Sequence, residues 1–116
     1  MTFLLLIFDD EAAWARLGPA EMDDVMRRHG QLRADLEARG QFVRCDRLRP
    51  RAEAATVTLR DGAPTATDGP YAESKEIVGG FYLVDCGSKA VAVEWAKRIP
   101  LAGRSRVEVR PIWTTA

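Results

Sequence analysis

The sequence predicts an α+β fold in the order strand, helix, strand, strand, helix, strand, with a small hairpin inserted between the second and third strands. Three observations carry this. Apolar runs too short for helices open the chain and recur near residue 80. Two amphipathic segments with helix start and stop signals separate the runs, and Asp61-Gly62 marks a tight turn in the middle.

With 116 residues, 47% hydrophobic and 29% charged, the chain reads as one domain, 1–116, built on a single core. It has no apolar run of the roughly 18 residues that a membrane span needs. Met1-Thr2-Phe3 lacks a basic leader, so a cytoplasmic protein away from membranes is expected. Cys45 and Cys86 form no CxxC pair and read as reduced, buried thiols. Lysine plus arginine and aspartate plus glutamate both number 17, and a net charge of zero speaks against nucleic acid as a partner.

Phe3 to Phe8 is an unbroken apolar run, which suits a central strand buried on both faces. After Gly18-Pro19, Met22, Val25, Met26, Leu32 and Leu36 follow at helical spacing, predicting an amphipathic helix over about 20–39 that Gly40 stops. Gln41 to Leu48 reads as a strand, with Phe42, Arg44 and Asp46 on one side and Val43, Cys45 and Arg47 on the other. Ala55 to Arg60 and Pro64 to Thr67 flank Asp61-Gly62 as a hairpin. Ile77 to Cys86 is a strand whose Gly79-Gly80 pair marks a bulge or a close backbone approach. Ser88 caps a second helix to about Arg98, with Val91, Ala92, Trp95, Ala96 and Ile99 on its buried face, and Pro100 ends it. Arg106 to Ile112 is the last strand, and Glu108 and Arg110 on one of its faces suit an ion pair.

Without the hairpin, this is the ferredoxin-like βαββαβ plan. Its two helices cover one sheet face, yet the Phe3–Phe8 and Phe81–Val84 runs are apolar on both. A second copy of the same sheet is the economical cover, so a sheet-to-sheet homodimer is expected. Trp14, Trp95 and Trp113 read as core or interface anchors.

The zero net charge hides a polarity. Residues 1–26 carry six carboxylates against Arg16 alone, a net of −5, whereas residues 27–51 carry eight arginines against three carboxylates, a net of +5. This pattern either complements a helix dipole or forms an anion-attracting surface. His29, the single histidine, lies in the middle of the apolar helix stripe, either as a core group or as a general acid–base group. The carboxylate candidate is Asp68, whose Asp-Gly-Pro sequence also makes a rigid turn. Arg33, one turn from His29, could hold an anionic substrate. One histidine and two separated cysteines do not make a metal site, no phosphate-binding loop appears, and no cofactor is expected.

The segment from Thr67 through Asp68-Gly69-Pro70-Tyr71 to Glu76, the Gly79-Gly80-Phe81-Tyr82 run and the closing Glu108-Val109-Arg110-Pro111-Ile112-Trp113 resemble the YCII-related family, specifically its DGPF branch. The resemblance implies a dimeric α/β barrel of ferredoxin-like protomers. It also implies a site built from a histidine and an aspartate, here His29 and Asp68. Tyr71 stands where the branch usually has phenylalanine and would add a hydroxyl to the pocket, and Ser74 stands where threonine is common. With Arg33 and Lys75 they form the expected ligand-binding set. Two functions follow as expectations. One is a small enzyme using Asp68 and His29 for acid–base chemistry on a small, anionic molecule. The other is a non-catalytic ligand-binding or protein-interaction module linked to a sigma factor, since DGPF-type members often occur beside such factors.

Overall fold

A computed structural model describes residues 1–70 and 77–114. The elements run β1 (Thr2–Asp9), α1 (Glu11–Ala15), α2 (Pro19–Ala38), β2 (Phe42–Arg47), β3 (Ala55–Arg60), β4 (Ala63–Asp68), β5 (Ile77–Asp85), α3 (Lys89–Ala96) and β6 (Arg106–Pro111). Four strands form one antiparallel sheet in the order β2-β5-β1-β6, and β3-β4 is a separate two-stranded ribbon. With the ribbon set aside, this is the ferredoxin-like arrangement, in which β1 and β5 are the central strands.

Alternation along β1 and β5 divides their apolar residues between the two sheet faces. Phe3, Leu5 and Ile7 of β1 join Tyr82 and Val84 of β5 beneath Leu32, Leu36, Ala92, Trp95, Ala96 and Ile99 of the helical layer. Leu4, Leu6 and Phe8 point the other way, and their register partners Leu83 and Phe81 lie beside them on a face that no helix covers. Arg110, Glu108 and Arg106 of β6 flank that face on one side, Arg44 and Asp46 of β2 on the other.

Local chemistry places the ends. Pro19 begins α2, and the Glu21 carboxylate accepts from the Gly18 N–H at 3.2 Å. Gly40, at φ 66°, reverses the chain after α2 while the Gln41 N–H donates to the Leu36 carbonyl at 2.9 Å. Asp61 and Gly62 both adopt positive φ, 52° and 79°, as a two-residue hairpin turn requires. Ser88 Oγ accepts from the Val91 N–H and caps α3.

Three details depart from the sequence expectation. The acidic stretch after β1 contains the short helix α1, capped by the Asp10 carboxylate accepting from the Ala13 N–H at 3.1 Å. Strict alternation fails in β2, where a bulge between Phe42 and Arg44 turns Phe42 to the same side as Cys45, so both pack against the core. The buried helix stripes are narrower than the periodicity suggests: Met26 is 53% exposed and Val91 39%, because the sheet beneath is only four strands wide.

Both glycines of the Gly79-Gly80 pair are required by close approach. Gly79 is the extra residue of a bulge opposite Ile7 and Phe8. A Cβ on Gly80 would stand 2.8 Å from the Asp46 carbonyl oxygen of β2. Gly30, inside α2, has no neighbour within 4 Å of such a Cβ. Gly30→Ala is therefore expected to raise unfolding stability by about 0.5–1 kcal/mol, as alanine does in a helix interior. Gly80→Ala is expected to lower it by about 1–3 kcal/mol. Urea unfolding of the two variants checks both signs.

Candidate functional site

Tyr82 projects from the middle of β5 into the helical layer and is only 3% exposed. A buried phenol needs a hydrogen-bond partner, and α2 supplies one. His29 Nδ1 lies 2.6 Å from Tyr82 Oη, and the two rings stack at 12° with centroids 5.9 Å apart. His29 thus occupies the apolar stripe because it satisfies a polar atom of the sheet below.

Electrostatics fixes the protonation of this pair. Burial foremost pushes the Tyr82 phenol up to about 12, with the neighbouring Cys45 thiol adding to the shift. Burial also lowers His29 below the ordinary imidazole value of 6.5, and the positive charges of Arg28 and Arg47 lower it further. Among the described residues the phenol has no other hydrogen-bond acceptor, so its O–H is assigned to Nδ1 and the ring proton to Nε2. Among the described residues Nε2 makes no hydrogen bond, so the half-buried ring presents an N–H donor.

Arg47 links this pair to a second group. Asp9, at the end of β1, is half-buried and accepts from Trp14 Nε1 at 3.0 Å. Its carboxylate lies across β5 where Gly79 leaves room: a Cβ on Gly79 would sit 1.5 Å from Asp9 Oδ2. Burial raises the Asp9 pKa above 3.8, opposed by the Trp14 hydrogen bond and by the charge of Arg47. Arg47 thus acts on both His29 and Asp9. The adjacent Asp10 has a different role, since its carboxylate caps α1 and accepts from the Arg104 N–H at 3.1 Å, tying the loop before β6 to the end of β1.

Of the residues predicted from sequence, His29 and Arg33 lie one turn apart on α2 and Asp68 lies on the ribbon. Asp68 ends β4, exposed and paired in register with Ala55, and among the described residues no hydrogen bond joins it to His29. Arg33 donates through Nε to Glu37 at 2.8 Å and lies 4.6 Å over the Phe42 ring, fastening α2 to β2. Tyr71, Ser74 and Lys75 lie outside the described residues. Glu108 and Arg110 flank the open sheet face, while Trp113, expected as an anchor, is 92% exposed in the single chain. Two surface depressions, about 390 and 250 Å³, lie elsewhere: one beside Trp14, Val25 and Leu101, the other between Arg28, Gln31 and Arg98. Among the described residues no cluster of three His, Cys, Asp or Glu side chains could hold a metal ion, and no helix is long and apolar enough to cross a membrane.

In the comparison with known proteins, the YCII-related domain matches residues 1–116. The chain belongs to the YCII-related family. An uncharacterized protein of Rhizobium meliloti (strain 1021) is 33% identical to this YCII-related chain over 114 residues, spanning 97% of it and 92% of the relative. Sequence reasoning found His29 but missed Tyr82, Asp9 and Arg47. The available signals were a tyrosine in an otherwise apolar strand and a glycine pair that had to accommodate some nearby group.

His29 is the lone histidine, so its imidazole signal in NMR is unambiguous. Its folded pKa lies below the unfolded value, so the unfolded chain binds more protons in between. Stability from this group is present above about 6.5 and is lost as pH falls through the folded pKa. Arg47→Gln is expected to raise the His29 pKa in an NMR titration, and His29→Gln to flatten the fall in stability between about pH 7 and 5. An unmoved titration in Arg47→Gln would contradict the assigned electrostatics.

Proposed function

We propose that this YCII-related protein is a homodimeric small enzyme that acts on a small anionic molecule through His29. The observation that carries this is a half-buried imidazole pinned at Nδ1 by Tyr82, with Nε2 unpaired among the described residues and two arginines acting on the ring. Such a donor suits an oxyanion of a ligand: neutral imidazole donates to the oxygen, and imidazolium can transfer the proton. Arg47 supplies the countercharge, and Tyr82 is the positioning residue. Asp68, exposed and unbonded to His29, is assigned to its turn rather than to proton transfer.

The uncovered apolar sheet face, with Leu4, Leu6, Phe8, Phe81 and Leu83 at its centre, supports a dimer closed sheet to sheet as an α/β barrel. The Asp68-Gly69-Pro70-Tyr71 run supports a place in the DGPF branch of the family.

Benzoate and inorganic phosphate serve as anionic probes of the site. At least one is expected to shift the His29 imidazole resonance saturably and to raise its pKa, because an anion favours imidazolium. Arg47→Gln should weaken that binding by about tenfold, the size of one lost charge-assisted contact. If neither probe moves the resonance at tens of millimolar, His29 is a core group and the proposal fails.

A further inference from the structure

The β3–β4 ribbon has no part in the site, yet its two faces differ in chemistry. Register and alternation put Val57, Leu59, Pro64 and Ala66 on one face and Thr56, Thr58, Thr65 and Thr67 on the other. Val57 and Leu59 are nevertheless 65% and 75% exposed. An isolated two-stranded ribbon is marginally stable in water, so one that carries a segregated apolar face calls for a cover.

Among the described residues nothing supplies that cover. The root of the ribbon is fastened, with the Gly69 N–H donating to the Ala54 carbonyl at 2.6 Å and Thr56 Oγ1 to the Gly69 carbonyl at 2.8 Å. Beyond the root, its extensive contacts among the described residues are between its own two strands. The radius of gyration is 16.2 Å, against about 13 Å for a compact chain of this length. The molecule measures 49 × 46 × 18 Å, and the short dimension fits one helical layer on one sheet with no third layer over the open face. The ribbon therefore extends away from the body.

We infer that the apolar face of this ribbon packs as an arm against a second copy of the chain. The inference rests on the dimer proposed above and adds the element that completes it. Four strands of about six residues, spaced about 4.8 Å apart, give an open face of roughly 400 Å². Two such faces bury roughly 800 Å² in total, the level of incidental contacts and below the roughly 1,200 Å² where stable interfaces begin. Each arm adds roughly 200 Å² on itself and as much on its partner, which brings the interface to roughly 1,600 Å², the standard size. Twofold symmetry gives each copy the same embrace. The ribbon carries Arg60 against Asp61 and Asp68, so it lacks the basic surplus that would direct it to nucleic acid or lipid instead.

The test is sedimentation equilibrium of the full chain, comparing wild type with the double variant Val57→Asp/Leu59→Asp and with Thr58→Asp on the opposite face. The wild type is expected to be dimeric, the double variant to dissociate at least a hundredfold more readily with unchanged circular dichroism, and Thr58→Asp to stay within threefold of wild type. A dimer unmoved by the double variant, or weakened equally by Thr58→Asp, overturns the arm and leaves the sheet-to-sheet dimer standing. A wild-type chain that is monomeric at all concentrations overturns both.

Discussion

A phenol projecting from the middle of a sheet into its helical cover must be satisfied there or destabilise the fold, and at Tyr82 it is α2 that supplies the partner. The 2.6 Å contact with His29 meets that requirement and joins the folding of the core to the chemistry of the site. It fixes the rotation of the imidazole ring, while burial and the charges of Arg28 and Arg47 favour its neutral form. Leaving either partner unpaired in this layer would cost about 1–3 kcal/mol, so the pair is as much a packing device as a reactive group.

The rest of the arrangement follows from the sheet on which Tyr82 sits. β1 and β5 are apolar on both sides, and two helices cover one side only. The covered side holds the core and the His29–Tyr82 pair. At one end of it the backbone is thinned by two glycines, one making room for the Asp9 carboxylate and the other for the β2 backbone. Arg47, at the end of β2, then lies near enough to bias both Asp9 and His29. The open side and the projecting ribbon are two apolar surfaces that no element among the described residues covers.

Much of the fold was legible because its signals are local. The apolar Phe3–Phe8 run, the stop at Gly40 and the Asp61-Gly62 turn each depend on a few neighbouring residues, and each appears where expected. The bulge that turns Phe42 over was not legible, because it answers to the β5 strand opposite rather than to its own alternation. The site was half legible. A histidine in an apolar stripe stands out, but its partner lies 53 residues away and is chosen by how α2 packs on the sheet. Asp9 and Gly79 likewise meet only through the bulged pairing of β1 with β5. Asp68 attracted attention through a local turn signal, and among the described residues no hydrogen bond joins it to His29.

The central claim is that Tyr82 donates to Nδ1 and holds His29 as the neutral, Nε2-protonated tautomer. Long-range nitrogen–proton correlation NMR of the single imidazole at pH 7.5 tests this most directly. The account predicts a protonated Nε2 and an unprotonated, hydrogen-bonded Nδ1, with loss of the Nδ1 hydrogen-bond shift in Tyr82→Phe. A protonated Nδ1, or a nitrogen spectrum unchanged by Tyr82→Phe, would contradict it.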